Sequence, residues 1–180
     1  VLPGGRGDGV PITTLIDLES GTTAAHYVAG PAELRLLLAN SGGYGLLARV
    51  GDLLGRNKGG KAFLTLDVNE RVLPPAVVAP AHSQVACLAA DGRLLVFGLD
   101  ELKLQPGGGR GLTLIEVDAK APLLSAVTFA QALRVLGSGR GGKAREEELK
   151  AAMLKVHAGK RARKGRAVEG LQKAVQLLPI

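Results

Sequence analysis

The sequence has few of the residues that build many known binding sites. It contains one cysteine and no tryptophan in 180 residues, and aromatic residues make up 3% of the chain. One cysteine excludes a disulfide framework and a thiolate zinc site, which fits a reducing compartment. The scarcity of aromatic rings argues against a surface that stacks the bases of single-stranded nucleic acid. No apolar run approaches the ~18 residues of a membrane helix and no leader pattern is seen, so we expect no membrane partner and a cytoplasmic location.

Patterns that carry catalysis are also missing. The three histidines, His26, His82 and His157, are isolated in the sequence, and each is interpreted as a surface or loop residue. Neither a G-x-S-x-G elbow nor a G-x-x-x-x-G-K-[ST] loop is present, so no nucleophile or nucleotide site is signalled. We therefore predict no catalytic residue, no metal site and no cofactor in this chain.

The positive charge is concentrated at one end. The net charge is +7, but residues 1–131 hold 11 Lys and Arg against 12 Asp and Glu, whereas residues 132–180 hold 12 against 4. Five of the seven residues from 160 to 166 are basic. Such a cluster attracts polyanions, although a solvated basic tail is an equally good interpretation of the charge alone.

Short apolar runs broken by glycine predict an all-β chain. Glycine is frequent, at 26 residues, and Gly with Asn or Asp separates several runs as in β-hairpins. Residues 146–156 are the one stretch of strong helix formers, and Leu149, Met153 and Val156 would form its buried stripe. The predicted strands cover residues 34–39, 44–50, 62–66, 85–89, 94–99, 112–117, 126–129 and 132–136.

The hairpins recur with a period of about 50 residues. Gly60-Lys61-Ala62 precedes Gly109-Arg110-Gly111 by 49 positions, and a looser third copy places Gly165-Arg166-Ala167 56 positions after Gly109. A repeat of this length built from hairpins indicates propeller-like blades. We expect residues 1–30 to end a preceding blade and residues 31–80, 81–130 and 131–180 to form three repeats. Since the chain begins at Val1 rather than Met, we expect it to be part of a longer protein.

Cations flanked by glycine stand at matching points of the repeats. Glycine allows the backbone to approach a phosphate chain closely, and the neighbouring Lys or Arg supplies charge. Spaced around one rim, such loops would suit a duplex; alternatively, the glycines serve only turns and the cations only solubility. The candidate DNA-binding residues are Arg6, Arg56, Lys58, Lys61, Arg110, Lys160, Arg161, Arg163, Lys164 and Arg166.

Several stretches resemble one protein family. Residues 42–47 (Gly-Gly-Tyr-Gly-Leu-Leu), 56–62 (Arg-Asn-Lys-Gly-Gly-Lys-Ala) and 72–75 (Val-Leu-Pro-Pro) are similar to the C-terminal domain of the A subunit of bacterial topoisomerase IV. Residues 91–97, 165–167 and 170–172 agree with later blades of that family. The resemblance covers nearly the whole chain.

The resemblance implies a β-pinwheel, a disc of four-stranded blades that exchange strands, with a basic rim that binds and bends duplex DNA. It also implies that the parent is an ATP-dependent type II topoisomerase that decatenates chromosomes and relaxes supercoils. The partners would be double-stranded DNA, the rest of the A subunit, and the B subunit, near the bacterial nucleoid. ATP and Mg²⁺ would be bound outside this chain.

Two alternatives stay open. The chain could be the equivalent domain of the A subunit of DNA gyrase, whose Gln-Arg-Arg-Gly-Gly-Lys-Gly box is only partly matched by residues 139–144, here predicted to be a hairpin turn. It could also be a propeller-like scaffold that binds proteins and no nucleic acid, which its near-neutral first 131 residues would allow.

Overall fold

The computed structural model describes residues 25–54 and 62–180, and most of its regular structure is β-strand. Two short helices, α1 (Val50–Leu53) and α2 (Ala151–His157), each follow the second strand of a hairpin, as does a 3₁₀ turn at Leu99–Glu101. The strands are β1 (Arg35–Ala39), β2 (Tyr44–Arg49), β3 (Ala76–Val78), β4 (Gln84–Ala89), β5 (Arg93–Gly98), β6 (Leu112–Thr113), β7 (Leu123–Phe129), β8 (Leu133–Ser138), β9 (Ala144–Leu149), β10 (Arg166–Ala167) and β11 (Lys173–Pro179).

These strands form three sheets, which we call blades, and each blade is built on a hairpin. The strand orders are β3-β1-β2-β6 in blade 1, β10-β5-β4-β7 in blade 2 and β11-β8-β9 in blade 3. The short strand β6 follows the second hairpin in sequence but pairs with the first, and β10 follows the third hairpin but pairs with the second. Neighbouring blades are thus joined by exchanged strands, and the predicted all-β pinwheel architecture is confirmed.

Each hairpin turn, called a tip below, follows from local chemistry. At the first tip the Asn40 side chain accepts hydrogen bonds from the Gly42 and Tyr44 amides, and Gly43 takes φ 86°. Gly92 takes φ 85° at the second tip, and the amide of Gly139 donates to the Lys143 carbonyl at the third. Glycine tolerates positive φ without steric cost, so the predicted hairpins form here, including the one at residues 139–144.

The core lies between the blades. Alternate residues of β4 face opposite neighbours: Val85 and Cys87 pack in a cluster with blade 1, whereas Ala86 and Leu88 pack with blade 3. Blade 2 is therefore buried on both faces, which explains why β4 is a continuous apolar run. Burial also raises the pKa of the Cys87 thiol, because an apolar surrounding disfavours the thiolate.

The predicted helix over residues 146–156 is wrong in its first half. Residues 144–149 form strand β9, paired antiparallel with β8, and the helix begins only at Ala151. Pairing with β8 along six residues overrides helix propensity here. The predicted apolar stripe is also wrong: Leu149 is buried, but Met153 and Val156 are about half exposed, and α2 buries Leu154 and His157 instead.

Two other predicted strands are shorter in the structure than the sequence indicates, and several observed strands were not predicted. Within residues 62–66 the structure has only an isolated bridge at Leu64, and the predicted strand 112–117 is reduced to β6. Four strands went unpredicted, namely β3, β9, β10 and β11. The last of these, β11, carries Lys173, Gln176 and Pro179, so it lacks the apolar pattern that marks the hairpin strands.

The structure aligns the second and third repeats with an offset two residues smaller than the alignment made from the sequence. The Gly43 carbonyl accepts from the Leu114 amide at 2.7 Å, and the Gly92 carbonyl, 49 positions later, accepts from Val168 at 3.1 Å. Leu114 and Val168 are 54 positions apart, so Gly111 corresponds to Gly165. The matching cations are then Arg110 and Lys164, and the predicted match of Arg110 with Arg166 is wrong.

Two histidines with lowered pKa values make the stability of the fold depend on pH. Burial lowers the pKa of His82 and of His157 below the ordinary value of 6.5. The unfolded chain therefore binds more protons than the folded one as pH falls through 6.5, and the free energy of unfolding decreases. We expect urea unfolding to show falling stability from pH 7.5 to pH 5.5.

The matched control for this pH dependence is the exposed histidine. For each protein, the free energy of unfolding is compared with its own value at pH 7.5. On this scale His82→Gln/His157→Gln should lose most of the pH dependence, whereas His26→Gln should retain it. A pH profile of His82→Gln/His157→Gln as steep as the wild type would contradict the assignment.

Candidate nucleic-acid interface

The basic cluster lies on a loop that links the third hairpin back to blade 2. This segment, residues 159–168, is called the exchange loop. Its backbone is fixed at several points: the Gly159 amide donates to Val96, the Ala162 amide donates to Leu114, and the Arg163 carbonyl accepts from Glu116, at 2.9, 2.9 and 3.1 Å. The basic cluster is therefore part of an anchored loop and not a free tail, which was one of the two interpretations of the charge.

Two of its five cations are engaged in holding the loop. Arg161 donates from its guanidinium to the Thr113 carbonyl at 2.6 Å, and its amide donates to the Glu101 carboxylate at 3.0 Å. Lys164 forms an ion pair with Glu116 at 3.6 Å, between two half-exposed side chains. Exposed pairs of this kind contribute little stability, but they reduce the charge offered to a ligand.

The remaining three cations of the loop are exposed and unpaired. In the described part of the chain, Lys160, Arg163 and Arg166 have no ion pair and no side-chain hydrogen bond. The backbone beside them is nevertheless fixed, through Gly159 on one side and the β10–β5 pairing on the other. This gives a pre-positioned group of three positive charges on the surface.

Arg110 has a different setting from these cations. Its guanidinium stacks over the Tyr44 ring at 4.1 Å, pairs with Asp67, and donates to Glu70 at 3.1 Å. The hydrogen bond with Asp67 raises the pKa of Arg110. Two carboxylates, those of Asp67 and Glu70, pair with its charge. Arg110 thus ties the segment before β6 to β2 and to the turn that precedes β3.

The corresponding place in blade 2 is filled by different residues. Position 93, which matches Tyr44 in the 49-residue repeat, is Arg93, and this residue pairs with Asp91 at 2.5 Å and with Asp118 at 3.8 Å. Arg93 also donates to the Lys164 carbonyl at 3.3 Å. In both blades, therefore, a cation next to the exchanged strand forms ion pairs with acidic residues of a turn. The sequence prediction missed Arg93, although the 49-residue period marks its position.

Four predicted residues, Arg6, Arg56, Lys58 and Lys61, lie outside the described residues. The structure does bring Lys160, Arg161, Arg163, Lys164 and Arg166 onto one loop, and it places Arg110 on the equivalent loop of the preceding repeat.

His157 differs from its predicted surface position. It is 6% exposed, lies at the end of α2 just before the exchange loop, and its ring is next to the backbone of Leu94 and Arg166. His82 is half-buried and contacts Thr128 at 2.7 Å. Among the described residues, no group of His, Cys, Asp and Glu could hold a metal ion, and no helix is long and apolar enough to cross a membrane.

Comparison with curated proteins gives a consistent group of relatives. The chain is 36% identical over 168 residues to the A subunit of DNA topoisomerase 4 from Neisseria gonorrhoeae and 33% identical over 180 residues to the one from Escherichia coli. These alignments cover 90% and 96% of this chain, but 22% and 23% of the relatives. The structure of the E. coli ParC C-terminal domain superposes with a TM-score of 0.85 at 29% identity, covering 98% of this chain and 73% of that one.

The chain belongs to the family of C-terminal domains found in the A subunits of topoisomerase IV. This membership supports the role of an accessory domain in a type II topoisomerase. The chain spans less than a quarter of the length of these curated relatives. The C-terminal domain of DNA gyrase A shares the fold, with a TM-score of 0.71 at 16% identity over 94% of this chain and 57% of that one. No protein-family model matches the chain.

The setting of Arg110 predicts that it stabilises this topoisomerase-type domain and contributes little to ligand affinity. We expect Arg110→Ala to lower the urea midpoint, because the stacking on Tyr44 and both carboxylate contacts are lost, and to change duplex affinity less than twofold under conditions where it is folded. Urea melts and fluorescence anisotropy measure the two effects.

The matched variant Arg163→Ala removes one exposed, unpaired cation and should do the reverse, leaving the midpoint unchanged and weakening duplex binding. A loss of affinity for Arg110→Ala as large as that for Arg163→Ala would refute the distinction.

Proposed function

We propose that this domain binds duplex DNA through its exchange loop and holds it for the strand-passage reaction of the parent topoisomerase. The observation that carries the proposal is a set of three exposed cations, Lys160, Arg163 and Arg166, on a loop whose backbone is fixed by the blades. None of the three has an ion pair with another described residue. Phosphate contacts of this kind supply most of the affinity of proteins that bind DNA without reading its sequence.

The fixed backbone supports this function energetically. A flexible basic tail must be ordered when it binds, and that ordering costs free energy. The exchange loop is already held by hydrogen bonds to Val96, Leu114 and Glu116. Binding DNA therefore does not require the additional free energy of ordering this backbone.

The aromatic residues favour a duplex ligand over a single strand. Of the aromatic side chains in the described ranges, Phe63, Phe97 and Phe129 are buried, and Tyr44 lies beneath Arg110. Tyr27 alone is largely exposed among them. One exposed ring does not form a stacking platform, so the contacts would be to the phosphate backbone, with little preference for sequence.

We also propose the activity and partners of the parent protein, on the basis of its family. The parent would be an ATP-dependent enzyme that relaxes supercoils and decatenates chromosomes in the bacterial cytoplasm, at the nucleoid. Its partners would be duplex DNA, the rest of the A subunit, and the B subunit. Catalytic residues, ATP and Mg²⁺ would then belong to other parts of the assembly.

The central test is the salt dependence of duplex binding. The triple variant Lys160→Ala/Arg163→Ala/Arg166→Ala removes three phosphate contacts, so the slope of log K against log salt should become less negative by about 3. Anisotropy of a labelled duplex of roughly 40 base pairs, long enough to span a basic rim, measures the slope between low and moderate salt.

Two controls accompany the triple variant. A single strand of equal length should bind more weakly than the duplex, and the urea midpoint of the variant should match that of the wild type because the replaced side chains are exposed. Wild-type protein that does not bind a duplex at low salt, or an unchanged slope in the variant, would reject the proposal and favour a protein-binding scaffold.

A further inference from the structure

The three tips differ sharply in charge. The first tip, residues 40–43, has no charged residue, and at the second the acid Asp91 is paired with Arg93. At the third tip Arg140 and Lys143 are exposed, and neither has an ion pair or side-chain hydrogen bond within the described part of the chain. Lys173, the first residue of β11, pairs through its backbone with Ser138 at the base of this tip and is also exposed.

The third tip is also unobstructed. Gly141 and Gly142 take φ of 76° and 74°, and a Cβ built on either would meet no atom within 4 Å. The hydrogen bond from the Gly139 amide to the Lys143 carbonyl, at 2.8 Å, closes the turn. A ligand can therefore approach the backbone of this tip without displacing protein atoms.

The third tip lies beside the last residues of the exchange loop. Val168, the last residue of the exchange loop, donates to Gly92 at the second tip, and Gln172 donates to Ser138 at the base of the third tip. The two donors are four positions apart in the chain. A chain extends at most ~3.6 Å per residue, so their amides are at most about 14 Å apart. A straight duplex segment of one helical turn, about 34 Å, is long enough to reach both places.

The acidic residues of β9 are engaged by cations and leave the charge of the third tip largely unopposed. Glu147 is engaged by Arg145 at 2.7 Å, Glu146 by Arg134 at 3.6 Å and Glu148 by Lys150 at 3.4 Å. Each acid on β9 therefore has its own cation, and each of these acids lies further along the strand than Lys143. The charges of Arg140, Lys143 and Lys173 remain available to a polyanion.

We propose that the third tip, residues 139–143 together with Lys173, is a second phosphate-binding site that contacts the same duplex as the exchange loop. This inference rests on the proposed function, because the ligand is the DNA bound there. The two sites together offer six cations that have no ion pair among the described residues. Six cations correspond to a slope of log K against log salt near −5 if each contacts one phosphate. The duplex would run from the exchange loop across the tip of blade 3.

The experiment compares two variants with the same loss of charge. Arg140→Ala/Lys143→Ala removes two cations from the tip, and Lys103→Ala/Lys155→Ala removes two exposed cations that follow β5 and β9, at the end of the blades away from the tips. The tip variant should make the salt slope of 40-base-pair duplex binding less negative by about 2. The control variant should leave the slope within about 0.5 of the wild-type value.

Combining the tip variant with the exchange-loop triple variant separates the two proposals. If both sites contact one duplex, the combined variant should lose nearly all of the salt dependence. If the slope becomes less negative in the triple variant but not in the tip variant, the second site is overturned and the proposed function stays intact. Failure of the wild type to bind a duplex would reject the proposed function itself. Equal losses in the tip and control variants would show a general charge effect and would also overturn the second site.

Discussion

The pairing of exchanged strands with the edges of neighbouring hairpins is the constraint on which the rest of this structure depends. Strands β6 and β10 are only two residues long, yet each completes a blade built by an earlier part of the chain. Gly111 and Gly165, which lead into them, have positive φ, and a Cβ at either position would collide with the backbone of Gly45 or Leu94. Only glycine permits this close approach, so two glycines determine where the blades join.

Joining the blades in this way also divides the cations between two roles. The loops that carry the exchanged strands must be fixed to the neighbouring blade, and Arg110, Arg161 and Arg93 make those contacts with carboxylates, carbonyls and an aromatic ring. Cations that do not make such contacts remain exposed on a rigid loop. The equivalent loops therefore differ in charge: residues 107–109 of one repeat are all glycine, and the matching residues 161–163 of the next are Arg-Ala-Arg.

Much of the blade architecture could be predicted from the sequence, because hairpins are local. The turn at residues 40–43 needs only Asn40 and Gly43, and the apolar runs beside it have strand length. Strand β9 could not be predicted in this way, since Ala-Arg-Glu-Glu-Glu-Leu favours a helix when considered alone. Its extended conformation depends on antiparallel pairing with β8, which forms only when the two halves of the hairpin fold together. The two-residue strands are too short for any pattern, and only their partners identify them.

The candidate interface shows the same division. Composition alone placed the excess positive charge in the last 49 residues, and spacing alone revealed the repeat of about 50 residues. Which cations are exposed was decided by tertiary structure, because pairing depends on residues far away in the chain: Asp67 and Glu70 engage Arg110, and Thr113 engages Arg161. Charge, hairpin turns and period could be found without the structure, because charge needs only the residue types, a turn depends on near neighbours and a period depends only on spacing. The exchanged strands, the register of the third repeat and the set of free cations required the packed blades, since each depends on contacts between segments 40 to 76 positions apart.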